Sequence, residues 1–188
     1  MAAVPVRIPV TEREIDDRRR LGIDKHDECW AGEWHLVNPP KMWHGLLNEA
    51  LRDVLKPVAQ ARGLGAHADA FGLFAAANDW RVPDQIYARP AHAREDGFVR
   101  AELVVEIRSP GDDSYKKMDV YASLGVDEFM IIHENRRFEL YRQNGEGYLV
   151  PTKPGDDGVV WSRVLDVGFA TVDVPRLRVT WDGGSAEV

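Results

Sequence analysis

Two acidic residues stand where their side chains could act together. Asp84 follows Pro83 at the start of a predicted strand, and Glu106 lies near the end of the next predicted strand. Neighbouring strands lie roughly 5 Å apart, so pairing of these strands would bring both carboxylates to one point at the sheet edge. Two carboxylates about 4 Å apart repel by roughly 4 kcal/mol at an effective dielectric of about 20. A divalent cation removes that repulsion, and oxygen donors, with the Ile107 backbone carbonyl as a third ligand, suit Mg²⁺. The alternative is that each acid caps a loop or pairs with a local arginine, Arg108 being the nearest candidate.

Lys117 is the cation expected beside these acids. At helical spacing it shares a face with apolar side chains at i+3, i+4 and i+7, so that face should pack on the sheet. A lysine on a packed face extends its ammonium to the edge of the packing, which here is where Glu106 ends. Asp113, four residues earlier, either orients Lys117 or forms an ordinary helical ion pair with it.

Two further residues lie on a predicted helix from about Met42 to Arg62. Leu47, Leu51, Val54 and Val58 form its apolar stripe, and Pro57 should kink or end it. His44 precedes Leu47 by one turn and therefore could approach the acids, although a core or cap histidine is the commoner role. Glu49 lies about 200° round from Leu47 and should face away, which makes it only an accessory candidate.

The remaining elements must position these residues. A strand rich in β-branched residues, Leu103 to Ile107, should be buried, and a carboxylate inside it is costly unless it is paired. The other predicted elements are a helix over 11–22, a hairpin over 27–37, a break at 63–66, strands over 70–76 and 82–89, a loop over 89–100, a helix over 113–124, strands over 128–133 and 137–142, an edge strand near 147–150, and short β segments over 159–181. This order predicts an α/β core with a mixed β-sheet flanked by helices, and additional β-hairpins.

Composition limits the classes of protein. The chain has 188 residues, 44% hydrophobic and 29% charged, which predicts one domain over 1–188, with flexible termini at 1–10 and 183–188. The net charge of −7 argues against strong non-specific nucleic-acid binding, although a local basic groove remains compatible with it. The single cysteine excludes an internal disulfide, and no membrane span or signal peptide is apparent, so a cytoplasmic protein is expected.

Over residues 18–175 the chain resembles the Uma-two family of restriction-endonuclease-like proteins, in the PD-(D/E)XK superfamily. The segments that carry the resemblance are Asp27 to Glu33, His44, Pro83-Asp84, Val105-Glu106-Ile107-Arg108-Ser109-Pro110, Asp113 to Lys117, and Tyr121 to Phe129.

The resemblance implies a restriction-endonuclease-like core and a metal-dependent phosphodiesterase site. Asp84 and Glu106 would hold Mg²⁺, with Mn²⁺ as a substitute, and a metal-activated water would hydrolyse the phosphodiester. Lys117 would replace the lysine usually found two residues after the glutamate, where this chain has Arg108. An arginine stays charged and is a poor proton acceptor, but it could hold the scissile phosphate.

The function expected from the resemblance is therefore a Mg²⁺-dependent endonuclease acting on nucleic acid, with DNA the favoured substrate, in a homodimer without membrane attachment. Two alternatives stay open. One is a binding or regulatory module that has lost turnover, and the other is a hydrolase of a phosphodiester that is not nucleic acid.

Overall fold

The computed structural model describes residues 10–68 and 71–188. The predicted flexible N-terminal segment lies almost entirely outside the described residues. Within the described ranges, no helix combines the length and the apolar character that crossing a membrane requires.

Helices and short strands alternate along the chain. In chain order they are α1 (Glu12–Leu21), β1 (Glu28–Trp30), β2 (Glu33–His35), α2 (Met42–Ala61), β3 (Gly65–Ala68), β4 (Gly72–Ala76), β5 (Asp79–Arg81), β6 (Gln85–Ala88), β7 (Ala93–Arg94), β8 (Gly97–Phe98), β9 (Leu103–Arg108), α3 (Met118–Ser123), β10 (Glu128–His133), β11 (Phe138–Gln143), β12 (Leu149–Pro151), β13 (Val160–Ser162), β14 (Val167–Val172), β15 (Arg176–Trp181) and β16 (Gly184–Glu187). A 3-10 helix, Ser114–Lys117, leads directly into α3.

The strands form three sheets, and the central one carries the predicted buried strand. Its order is β12-β11-β10-β9-β6-β3, with β9 and β10 parallel and the other pairs antiparallel. A second sheet has the order β2-β1-β5-β4-β8-β7, and a third has the order β13-β14-β15-β16. The predicted mixed sheet with added hairpins is therefore confirmed.

Strand β9 lies at the centre because both of its faces are apolar. Leu103, Val105 and Ile107 pack with the inner face of α2 and with the third sheet. Val104 alternates to the other face, where it packs with α3 and the second sheet. Glu106 follows the same alternation as Val104 and therefore projects toward α3 rather than toward α2.

Helix α2 differs from its prediction in the phase of its buried stripe. Its fully buried apolar residues are Leu47, Leu51, Leu55 and Ala59, whereas Val54 and Val58 lie at the margin of the core. Because the buried stripe is shifted, His44 and Asn48 are buried as well. The helix runs to Ala61, next to its predicted end at Arg62, so of the two effects expected of Pro57 an end to the helix is wrong.

Four other expectations need comment. The segment predicted as a break contains the start of β3, and the predicted loop over 89–100 holds β7 and β8. The end of the chain was expected to be flexible, but Gly184–Glu187 forms β16 and pairs with β15. The capped helix at the N-terminus is confirmed, because Thr11 and Glu14 form a capping box at the start of α1.

Candidate active site

The structure brings Asp84 and Glu106 together as the strand spacing predicted. Strands β6 and β9 are antiparallel with Gln85 opposite Val105, so the preceding Asp84 lies across from Glu106. The Asp84 carboxylate accepts a hydrogen bond from the Ile107 backbone N–H, at 2.6 Å from N to Oδ2. This bond fixes Asp84 against the end of β9, beside the buried glutamate.

Lys117 reaches Glu106 from the 3-10 helix that leads into α3. Its Nζ lies 3.0 Å from Glu106 Oε1 and 2.7 Å from Glu28 Oε1, and its side chain is only 12% exposed. Burial disfavours the ammonium, but the Glu106 and Glu28 carboxylates raise the pKa of Lys117 above its ordinary value. Lys117 therefore stays charged at neutral pH.

Tyr121 lies one helical turn after Lys117 and contacts the same carboxylate. Its hydroxyl donates to Glu106 Oε1 at 2.6 Å, in a fully buried contact. The sequence placed Tyr121 on the packed face but assigned it no part in the site. An i, i+4 Lys-Tyr pair beside a buried glutamate is the signal that was available.

Glu28 is a further site residue that the sequence reasoning missed. It belongs to β1 of the second sheet, yet its carboxylate contacts Lys117 and also accepts from the backbone N–H of Val82 at 2.8 Å. Its other oxygen accepts from the indole N–H of Trp30 at 2.7 Å. Glu28 appeared only within the segment that resembles the family, since no local pattern connects β1 to β9.

Helix α2 contributes His44 and Asn48 to the other side of Asp84. The His44 Nε2 lies 3.3 Å from Asp84 Oδ1. Burial opposes protonation of His44, but the Asp84 carboxylate and the Ile107 carbonyl raise its pKa. Asn48, one turn later, donates to the Asp84 backbone carbonyl at 3.4 Å. Glu49 is exposed on the opposite face, as its helical phase predicted, and does not join the site.

The structure changes the expectations for two accessory residues, Asp113 and Arg108. Asp113 pairs with Lys116 at 2.7 Å, so the prediction that it orients Lys117 is wrong. Arg108 lies 3.7 Å from Asp112 and its guanidinium lies over the Tyr115 ring, so it does not neutralise Glu106. In the part of the chain that the structure describes, the cationic partners of Asp84 and Glu106 are His44 and Lys117.

The site holds an excess of negative charge. Glu28, Asp84 and Glu106 line one cleft of about 540 Å³, and Lys117 is the ammonium between them. Burial raises the pKa of Glu106 to about 7. Lys117 opposes this rise, while the Asp84 and Glu28 carboxylates add to it. Such an arrangement favours binding of a cation.

The two carboxylates of the site could serve a divalent cation that needs few protein ligands. Across residues 10–68 and 71–188, no group of three or more His, Cys, Asp or Glu side chains is arranged to hold a metal ion. Mg²⁺ commonly binds through one or two carboxylates and keeps several of its waters. Asp84 and Glu106 supply the carboxylates, and the Ile107 carbonyl lies at the same edge of the sheet.

A mixed sheet whose adjoining strand ends carry Asp84 and Glu106 defines a restriction-endonuclease-like α/β protein. The Uma2 family model, described as "Putative restriction endonuclease", matches residues 18–176. The chain belongs to this family, as its sequence resemblance indicated, and the family indicates a nuclease.

A solved structure supports the fold. A "putative nuclease belonging to DUF820" from Anabaena variabilis ATCC 29413 superposes with a TM-score of 0.59 and 16% identity, covering 74% of this chain and 83% of that one. A DrdV–DNA complex matches with a TM-score of 0.37 and 14% identity, over 57% of this chain and 10% of that one. No curated protein sequence matches this chain significantly.

Proposed function

We propose that this protein is a Mg²⁺-dependent endonuclease that hydrolyses phosphodiester bonds of nucleic acid, with DNA as the favoured substrate. The observation that carries the proposal is the convergence of Asp84, Glu106 and Lys117 in one cleft. These three residues come from β6, β9 and the 3-10 helix before α3, and their side chains meet only because of the fold.

Asp84 and Glu106 would hold the metal, with the Ile107 carbonyl as a third protein ligand. A bound Mg²⁺ lowers the pKa of a coordinated water and offsets the charge that develops on the phosphate. Glu106 is well suited to this role because burial, together with the Asp84 and Glu28 carboxylates, disfavours its charge, and a cation offsets that penalty. Mn²⁺ should substitute, since it accepts the same oxygen donors.

Lys117 would act as a hydrogen-bond donor and not as a base. Its raised pKa keeps the ammonium protonated, so it can orient the attacking water or stabilise negative charge on the phosphate oxygens. Glu28 and Tyr121 would position it and Glu106, because each contacts one member of the ion pair. His44 would orient Asp84 from the α2 side.

The experiment that tests this proposal is titration calorimetry with Mg²⁺ and Mn²⁺, run beside a DNA-cleavage assay. Wild-type protein should bind the cation and cut DNA. Asp84→Ala and Glu106→Ala should lose both cation binding and DNA cleavage. Asp53→Ala removes an exposed carboxylate from α2 and is the matched control, expected to behave as wild type. Absence of cation binding by the wild type would contradict the proposal.

The contact of Lys117 with two carboxylates also favours a second candidate, a nuclease-fold module that binds nucleic acid without cutting it. The ammonium already occupies the space between Glu28 and Glu106, which is where a cation would compete for the carboxylates. This candidate predicts DNA binding without cleavage at any Mg²⁺ concentration. The homodimer stays a prediction that analytical ultracentrifugation can test.

A further inference from the structure

A second cavity of about 890 Å³ adjoins the candidate active site. It lies under the turn between β10 and β11 and is also lined by Trp43 of α2 and by Arg108 and Pro110 at the end of β9. Pro110 lines both cavities, so the two spaces meet at the end of β9. This shared residue places the second cavity next to the acidic cleft.

The two cavities carry opposite charge. Glu28, Asp84 and Glu106 line the first, whereas Arg108, Arg136 and Arg137 line the second. The change from acidic to basic residues runs along β9. Residues two apart on a strand project to the same face and lie roughly 6.6 Å apart along the chain. Glu106 thus belongs to the acidic cavity, and Arg108 is the first cation of the basic one.

The guanidinium groups of this basic cavity have unused donors. Among the described residues, the buried Nε atoms of Arg108 and Arg136 have no hydrogen-bond partner, and the Nε of Arg108 makes a longer ion pair with Asp112 at 3.7 Å. Arg136 uses one Nη to donate to the Glu134 backbone carbonyl at 2.8 Å, and no described carboxylate pairs with it. Arg137 is exposed. A guanidinium with free N–H groups matches the fork geometry of phosphate recognition.

Two acids, Glu134 and Glu139, also line this cavity and are outnumbered by its three arginines. The Glu139 carboxylate accepts from the hydroxyls of Tyr115 and Tyr141 and contacts His133, so its oxygens are already engaged. Glu134 is exposed. Tyr115 in turn supports Arg108, whose guanidinium lies 5.2 Å from its ring centroid.

We propose that the basic cavity holds the phosphates that flank the scissile bond, through Arg108, Arg136 and Arg137. The inference rests on the proposed endonuclease function and adds to it the path of the nucleic-acid strand. The acidic cavity takes the cation and the reacting phosphate, and the basic cavity takes the next phosphates of the same strand. This assigns Arg108 to substrate binding, which accounts for an arginine two residues after Glu106.

Fluorescence anisotropy with labelled single-stranded and duplex DNA tests the inference in EDTA, where no cleavage can occur. The variant is Arg108→Gln/Arg136→Gln/Arg137→Gln, and glutamine is chosen because it removes the charge and keeps a polar side chain. Arg136 has a φ of 65°, and glutamine adds no strain beyond that of arginine there. The matched control is Arg13→Gln/Arg19→Gln/Arg20→Gln, which removes three exposed arginines of α1 that line neither cavity.

The cavity variant should bind DNA at least about tenfold more weakly than wild type at low salt, since charge-assisted contacts are lost. The slope of log affinity against log salt should also fall by about 0.7 for each lost contact on a single strand. The α1 control should keep the wild-type affinity. If the triple variant is not folded by circular dichroism, Arg136→Gln/Arg137→Gln changes only the hairpin turn and carries the same expectation.

The inference is overturned if the wild type does not bind DNA, or if the cavity variant binds as tightly as the α1 control. Loss of binding in the cavity variant supports it even when the wild type shows no cleavage with Mg²⁺. That result would reject the endonuclease proposal alone. Conversely, cleavage by a cavity variant with unchanged affinity would reject only the assignment of the basic cavity.

Discussion

Replacing Lys117 by alanine should destabilise this protein strongly in the absence of a divalent cation. The ammonium is the contact that Glu28 and Glu106 share, at 2.7 and 3.0 Å. The side chains of these two glutamates are only 4% and 6% exposed, so water cannot replace the lysine without opening the cleft. The substitution leaves both carboxylates buried without their cation.

The expected loss of unfolding free energy can be worked out from these contacts. A pair of unit charges about 4 Å apart gains roughly 4 kcal/mol at an effective dielectric of about 20, and most of that gain offsets desolvation of the charges. Removing one partner of a buried pair costs about 3–5 kcal/mol, because the remaining charge keeps its desolvation penalty. In a chain of this size each kcal/mol lowers Tm by about 2–4 °C, so the smallest expected change is about 6–12 °C.

Thermal and urea unfolding in EDTA measure this change, and Lys116→Ala is the control. Lys116 carries the same charge one position earlier, but its side chain is 62% exposed and pairs with Asp113 at the surface. Its loss should cost less than about 1 kcal/mol. Mn²⁺ should restore part of the Lys117→Ala loss, since a cation replaces the missing ammonium. If Lys117→Ala lowers stability no more than Lys116→Ala does, the assignment of the buried ion pair is refuted.

Three further substitutions test the surrounding structure. Tyr121→Phe removes the hydroxyl that donates to Glu106 and should lower the free energy of unfolding in urea by about 1–2 kcal/mol. It should also change the Mn²⁺ affinity more than a substitution that alters only apolar packing. Gly97→Ala should cost at least about 2 kcal/mol by the same measurement, because its Cβ would lie 2.1 Å from the Gly72 backbone oxygen. Glu128→Ala should cost about 3–5 kcal/mol by calorimetry, because this carboxylate is 1% exposed and joins β10 to an arginine of β11 and to the β13 region.

Local patterns were enough to predict the part of the site that lies on neighbouring strands. The buried run over β9 and the strand after Asp84 could each be recognised from composition, and strand spacing then placed their carboxylates together. The hairpin of β10 and β11 was predicted in the same way. These features depend on contacts within one sheet, which period-two alternation describes directly.

What the sequence did not predict depends on packing between separate elements. Glu28 reaches Lys117 from a different sheet, and no periodicity within β1 indicates which side chain lies opposite it. Asn48 was missed because the buried stripe of α2 includes Leu55 and Ala59 in place of Val54 and Val58, and this phase is decided by the sheet beneath the helix. Asp113 was assigned to Lys117 by helical spacing, but a 3-10 helix places it beside Lys116.

The bond between Glu28 and Lys117 has a consequence for how the chain folds. These residues are separated by nearly half of the sequence, so the contact belongs to the slow, non-local class that raises contact order. Until the second sheet docks on the central one, Glu28 and Glu106 lack their shared contact with Lys117. Amide exchange in β1 should therefore report the step of folding in which Glu28 reaches Lys117.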